Sequence, residues 1–271
     1  MRIAILGGGE IARLFLDHGA RGELGTADVV AVVGRNARSR GKAIAAQHGI
    51  PYGIGLDALL AAKPDVVVEA ASHEAVREYG VPVLARGISL IVLSGGALCD
   101  DALRAQLESA AHASGALLYV PSGGIGGLDA LKAACVAGVD EVEIAVTKPP
   151  RAWKDIAYVD ALGLDLDRLP GAVVLFEGTA RDGVPRFPAN VNIAAALSMA
   201  GIGYDRTRLK VVADPALELN THYITIKGRS GTISLKFESV PFPDNPKTAM
   251  LAAYSALAAF RQFNSRVRYG T

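Results

Sequence analysis

From residue 1 to about residue 122, short continuous apolar runs alternate with longer segments whose apolar positions recur every three to four residues. The runs at 2–6, 28–33, 66–69, 90–93 and 117–120 are dense in Val, Ile and Leu, the pattern of strands covered on both faces. The periodic segments at 11–19, 37–48, 56–62, 74–85 and 101–114 predict helices. Gly49-Ile50-Pro51 stops the second of these, and Asp100 or Asp101 caps the last. Alternating strands and helices predict a doubly wound parallel sheet, with right-handed crossovers bringing every strand's carboxyl end to one edge.

Beyond Pro121 the texture changes. The segments 142–148, 173–179, 210–213, 221–227 and 231–238 alternate apolar with polar residues, which predicts strands with one covered and one wet face. Some are joined by tight turns such as Gly228-Arg229-Ser230-Gly231. The pattern predicts a second, α+β domain over 123–247, built on a mixed or antiparallel sheet. Residues 248–264, introduced by Asn245-Pro246-Lys247, read as a helix expected to pack back on the first domain, 1–122. The exposed sheet face of the second domain, read as apolar, is the expected interface of a homodimer.

Composition narrows the function classes. The 271 residues are 51% hydrophobic and 20% charged with a net charge of +1, so neither nucleic acid nor a membrane surface is expected as a partner. The apolar runs are strand-length, too short to span a bilayer, and the chain opens in a strand without a cleavable leader. Only Cys99 and Cys135 are present, without metal-ligand spacing, so a reducing cytoplasm and no metal site are expected. Cys135, in the apolar stretch 130–139, is expected in the core.

Chemistry enters at the first strand–helix junction. Gly7, Gly9 and Ala12 stand at the spacing G-x-G-x-x-A, with Glu10 and Ile11 in the first helical turn. Gly7 permits the tight turn, Gly9 leaves room for a pyrophosphate against bare backbone, and Ala12 lets the helix sit close to the sheet. The helix start offers unpaired N–H groups to the phosphates. This strand–turn–helix context marks a Rossmann-type dinucleotide-binding domain. Its other strand ends carry Ala70-Ala71-Ser72-His73, Ser94-Gly95-Gly96-Ala97 and Pro121–Gly127, where small residues let a nicotinamide and its ribose approach; Ala71, Ser72 and Ser94 are the candidate contacts. NAD-specific domains place a carboxylate about twenty residues past the glycines. Here Gly34 vacates that space and Arg35 follows, whose guanidinium suits a 2′-phosphate, so NADP is expected at least beside NAD.

In the second domain, Asn190 and Asn192 precede a helical run, and His222 opens an alternating strand among polar neighbours. The histidine is a candidate acid–base group, with a structural hydrogen bond as its alternative. Were the substrate acidic, Lys148, Arg151, Lys154 and Lys247 would be its candidate anchors. Hydrolase and metalloenzyme motifs are absent from the sequence, which leaves a nicotinamide cofactor working on a small molecule.

The blocks Val68-Glu-Ala-Ala-Ser72, Val120-Pro-Ser-Gly-Gly-Ile-Gly-Gly-Leu-Asp-Ala130 and Phe176-Glu-Gly-Thr-Ala-Arg181 resemble the L-aspartate dehydrogenases. So do Phe187-Pro-Ala-Asn-Val-Asn-Ile-Ala-Ala-Ala-Leu197, Asn220-Thr-His222 and Asn245-Pro-Lys-Thr248, and the likeness runs over essentially the full chain. The resemblance implies that His222 is the active-site histidine and that Gly124 and Asn190 contact the nicotinamide cofactor. Gly124 stands where alanine is usual, and Val146-Thr-Lys148-Pro-Pro150 lacks an arginine that segment often carries, which leaves the substrate's cation open. It implies oxidative deamination of L-aspartate with NAD or NADP to iminosuccinate, which hydrolyses to oxaloacetate and ammonia or feeds NAD biosynthesis. The competing readings are another two-domain reductase, of homoserine dehydrogenase or dihydrodipicolinate reductase type, and a non-catalytic dinucleotide sensor.

Overall fold

A computed structural model describes residues 1–188, 190–242, 245–263 and 265–267, and the chain divides into two compact units. The first comprises residues 1–121 and the terminal helix from Ala253 onward; the second comprises residues 122–252. Asn264, the expected end of the terminal helix, and the side chain of Lys247 lie outside the described residues.

In the first unit the chain runs β1 (Arg2–Leu6), α1 (Glu10–Ala20), β2 (Asp28–Gly34), α2 (Arg40–Gln47), β3 (Tyr52–Ile54) and α3 (Gly55–Ala61). It continues through β4 (Val66–Glu69), α4 (His73–Leu84), β5 (Ser89–Val92), α5 (Asp101–Ser114) and β6 (Leu118–Tyr119). The six strands are all parallel, in the order β3-β2-β1-β4-β5-β6. The order reverses between β1 and β4, the switch point at which such sheets open a crevice for a ligand. β3 was not legible in the sequence, because three residues including a glycine carry no period. Helix α2 starts at Arg40 rather than 37, since the Asn36 side chain accepts from the Arg38 N–H and Ser39 caps the helix by accepting from Gly41. Asp100 caps α5 through the N–H groups of Ala102 and Leu103.

The second unit holds α6 (Leu128–Ala137), β7 (Val139–Lys148), β8 (Val173–Thr179), α9 (Asn192–Ala200), β9 (Thr207–Ala213), β10 (Asn220–Gly228) and β11 (Gly231–Ser239). Two single-turn helices, α7 (Ala157–Asp160) and α8 (Ala180–Gly183), flank β8. A short hairpin of β12 (Pro241–Phe242) and β13 (Asn245–Ala249) leads into the terminal α10 (Met250–Phe263). The five-stranded sheet has the order β11-β10-β7-β9-β8 and is mixed, with β7 and β9 parallel and the other pairs antiparallel. Within α6, Leu131 and Ala134 take the buried positions, so the helical period leaves Cys135 only half-buried instead of in the core.

Alternation along the central strands sets the two faces. Val142, Ile144 and Val146 of β7 stand opposite Ile226, Ile224 and His222 of β10, all buried. The other face carries Glu141, Tyr223, Lys227, Lys236 and Glu238, with ion pairs Lys227–Glu141 and Lys236–Glu238 at 3.0 Å each. This open face is charged rather than apolar, which removes the physical reason for expecting it to be covered by a second copy. The period of two places polar residues there.

The terminal helix belongs to the first unit's core. Ala256, Leu257 and Phe260 pack with Ile3, Phe15, Val32 and Ile91, and Phe260 meets Phe15 edge-on at 6.2 Å between ring centres. Phe260→Ala is expected to lower unfolding free energy by about 3–5 kcal/mol, measured by urea denaturation.

Candidate active site

In the first unit the site begins where β1 ends. Gly7 has φ +122°, and a Cβ there would stand 2.4 Å from the Ala70 carbonyl oxygen. A Cβ on Gly8 would stand 2.5 Å from Gly41 Cα, at the start of α2. These two glycines are required by backbone meeting backbone. Gly9 differs: a Cβ there would meet nothing within 4 Å. As the N-cap of α1 it also offers no side chain to the helix's free N–H groups. Open space in front of an uncapped helix start fits a pyrophosphate. Ala12 is fully buried against the sheet. The Glu10 carboxylate is buried beside Arg13 (3.4 Å) and Arg40 (3.8 Å), so what the first turn of α1 can offer an anion is its backbone N–H groups.

At the end of β2, Arg35, Asn36, Arg38 and Arg40 are exposed. Gly34 does not vacate space for a ligand. A Cβ there would lie 2.1 Å from the Tyr52 hydroxyl oxygen, which donates to the Asn36 carbonyl at 2.7 Å. Asp28 stands at the far end of the strand, paired in register with Arg2.

Ala71, Ser72 and Ser94 meet on one group that sequence reasoning passed over as a site residue. Glu69, the last residue of β4, is fully buried. Its Oε1 accepts from the N–H groups of Ala71 (2.8 Å) and Ser72 (3.0 Å) and from the Ser94 hydroxyl (2.8 Å). Its Oε2 accepts from the Ser94 N–H at 3.0 Å. Ser72 also caps α4 by accepting from Ala75, and His73 opens that helix half-buried. A carboxylate ending an otherwise apolar strand was the available signal.

In the second unit, the buried stripe of β7 and β10 turns polar at one end. Lys148 continues the series Val142, Ile144, Val146, and Asn220 and His222 continue Ile226 and Ile224; all are buried. Lys148 Nζ donates to the Asn190 backbone carbonyl (3.2 Å) and its side-chain oxygen (3.4 Å). It also lies 5.2 Å from the ring centre of Trp153, whose indole N–H donates to the Val212 carbonyl. Burial lowers the Lys148 ammonium from an ordinary 10.5 to about 7. Burial first, and the Lys148 charge second, lower the His222 imidazole to about 3. The Thr221 backbone favours the protonated ring, but among the described residues no partner completes a well-aligned hydrogen bond to Nδ1. Among the same residues Asn220 Nδ2 and Thr221 Oγ1 also find no partner. Each such buried atom costs about 1–3 kcal/mol; by the period of two, Asn220 and His222 share the face that Lys148 joins, where a polar ligand would satisfy both, while Thr221 points to the opposite face.

The other second-unit candidates separate. Asn192 opens α9 half-buried. Gly124 is buried, and a Cβ there would make ordinary contacts with Ala249 (3.6 Å) and Ile193 (3.8 Å), so an alanine fits. Arg151 donates to the Glu218 carbonyl at 3.2 Å, and Lys154 pairs with Asp167 at 2.6 Å. Lys148 is therefore the candidate cation that the fold brings to the histidine's end of the stripe. Sequence reasoning missed Trp153, Asn220 and Gly8, whose roles depend on what faces them. Among the described residues no group of His, Cys, Asp and Glu is arranged to hold a metal ion, and no helix is long and apolar enough to cross a membrane.

A dinucleotide turn at a sheet switch point, joined to a mixed-sheet unit with buried ionisable groups, defines a two-unit NAD(P)-dependent oxidoreductase. The family described as Aspartate dehydrogenase, C-terminal matches residues 129–263, and Homoserine dehydrogenase, NAD binding domain matches residues 7–121. L-aspartate dehydrogenase 2 of Bordetella pertussis is 41% identical over 271 residues, 99% of each chain. The L-aspartate dehydrogenase of Methanosarcina barkeri is 42% identical over 207 residues, 76% of each chain. The crystal structure of aspartate dehydrogenase from Thermotoga maritima superposes with a TM-score of 0.74 at 28% identity, covering 100% of this chain and 99% of that one. The chain belongs to the L-aspartate dehydrogenase family.

The depressed imidazole pKa has a consequence for stability. Between about 3 and 6.5 the unfolded chain holds a proton on residue 222 that the folded chain does not. The contribution is thus fully present above 6.5 and is lost as pH falls toward 3. Below pH 6.5, stability should fall more steeply in the wild type than in His222→Gln, by up to about 1.4 kcal/mol per pH unit, read by urea titrations.

Proposed function

We propose that this protein catalyses the oxidative deamination of L-aspartate to iminosuccinate, with reduction of NAD⁺ or NADP⁺. The observation that carries the reading is the buried pairing of Lys148 with Asn190 beside a low-pKa His222, in a chain of this family. The bound nicotinamide supplies the acceptor for the hydride that leaves the substrate Cα. The protein's own residues handle charge and protons.

Lys148 receives a substrate carboxylate. Its ammonium is held by two oxygens of Asn190, and an incoming anion offsets the burial that depresses its pKa. His222, neutral before substrate arrives, takes the proton that the substrate ammonium must lose before the C=N bond can form. A carboxylate close by raises the imidazole's proton affinity and screens it from the Lys148 charge, so substrate binding itself strengthens the base. With the Asn190 oxygens engaged by Lys148, its amide N–H₂ is the group that meets the cofactor's carboxamide. Asn192, at the start of α9, is the further substrate contact.

Cofactor choice rests on Arg35. It is exposed beside Arg38 and Arg40 at the end of β2, and the one acid of that strand, Asp28, is at the opposite end. This arrangement supports NADP⁺ used at least as well as NAD⁺. The homodimer rests on family resemblance. A reducing cytoplasm suits the two free cysteines, Cys99 and Cys135. Light scattering at micromolar concentration tests the dimer, and a monomer would remove it.

Aspartate-dependent reduction of NAD⁺ and NADP⁺ at alkaline pH is the direct assay, with homoserine as the control substrate; turnover of homoserine alone would overturn the reading. His222→Ala is expected to lower kcat with aspartate by about 100-fold or more while leaving cofactor affinity nearly unchanged. Arg35→Ala should reduce kcat/KM for NADP⁺ by about 10-fold and spare NAD⁺; equal losses for both would show that Arg35 does not read the phosphate.

A further inference from the structure

Glu69 sits where a carboxylate is least expected. It ends the fully buried strand β4 beside the switch point and is itself 0% exposed. No cation among the described residues forms an ion pair with it, and burial pushes its carboxyl pKa up. Four donors satisfy it: three backbone N–H groups and one hydroxyl. An ionised carboxylate has about four acceptor sites, so the set is complete. The three N–H groups cannot accept, so this surrounding is shaped for the ionised acid.

The donors come from two separate turns. Ala71 and Ser72 follow β4, while Ser94 follows β5, 25 residues away from Glu69 in the chain. Both turns lie at the carboxyl edge of the parallel sheet, where ligands of such folds bind. The first turn also touches the phosphate turn, since the Ala70 carbonyl oxygen fills the space a Gly7 side chain would need and the Ala70 N–H donates to Leu6.

We propose that Glu69 is a positioning residue for the nicotinamide cofactor, binding the turns after β4 and β5 into one edge. The turns spend their donors on Glu69. With those donors engaged, the small side chains of the turns leave room for a ribose and a flat ring rather than a site for an anion. Pairing with β1 and β5 holds β4 itself in the sheet, so the carboxylate acts on the turns beyond the strand ends. The proposal rests on NAD(P) binding by the first unit, and its deciding readouts, cofactor titration and the cofactor-free Tm, need no turnover of aspartate, so a failure of the aspartate reading leaves it decidable.

Glu69→Gln keeps an oxygen for some of the donors and sets an N–H₂ against another. NADPH and NADH binding are titrated by fluorescence, with melting curves taken with and without cofactor and KM values for cofactor and aspartate. The variant is expected to bind both reduced cofactors at least about 10-fold more weakly, as a lost hydrogen bond to a charged group implies. The KM for aspartate at saturating cofactor and the cofactor-free Tm should stay close to wild type. Cofactor affinity within about twofold of wild type would overturn the proposal, since that is far below the effect of one such bond. So would a fall in cofactor affinity matched by a fall in cofactor-free Tm, which marks a merely structural role. Should Glu69→Gln not fold, Glu69→Asp decides the matter by keeping the charge and withdrawing it from the two turns. Weaker NADPH binding at an unchanged cofactor-free Tm supports the proposal, and unchanged binding overturns it. If the wild type itself binds neither cofactor, the dinucleotide reading fails and Glu69 falls with it.

Discussion

Desolvation of ionisable groups at strand ends is the constraint on which both halves of this molecule are organised. Each unit buries such a group where a sheet stops. In the first, Glu69 is surrounded by donors; in the second, Lys148 is held by the oxygens of Asn190 and lies against the Trp153 ring. A buried ion without partners is costly, so the surrounding backbone has to be fixed in place to supply them. The result is order at places where a chain leaves its sheet and would otherwise be loose.

The same constraint tunes chemistry. Lys148 near 7 and His222 near 3 are held away from their ordinary values chiefly by burial, and the lysine's charge pushes the imidazole further in the same direction. A negative charge brought to this end of the stripe would favour the charged form of both groups and recover part of what burial withholds. Glu69 works in the opposite sense, because its partners are already complete and its effect is on the shape of the two turns that donate to it.

Crowding of backbone supplies the rest of the cofactor side. The ends of β1 and β4 and the start of α2 approach so closely at Gly7, Gly8 and Gly41 that side chains are excluded, while Gly9 alone faces open space. Glycines two residues apart in one motif therefore answer different demands, one from the protein's own packing and one from a ligand. Spacing alone shows the motif but not this division.

The sequence by itself determined the alternation of strands and helices, the change to a period of two after Pro121, and the glycine turn that opens a dinucleotide domain. These are local properties: hydrophobic period, caps and turn chemistry act within a few residues. The histidine, Lys148 and Asn190 were also visible as candidates, because polar residues at the end of an apolar alternation stand out. Tertiary structure alone decided that, of the three candidate cations with described side chains, Lys148 stands with the histidine's strand while Arg151 and Lys154 find partners elsewhere. It also decided that Gly34 makes room for Tyr52, and that Ala71, Ser72 and Ser94 turn their donors onto Glu69. The physical reason is shared: each depends on residues far apart in the chain meeting in a space from which water has been removed, and neither the meeting nor the missing water is written in any local pattern.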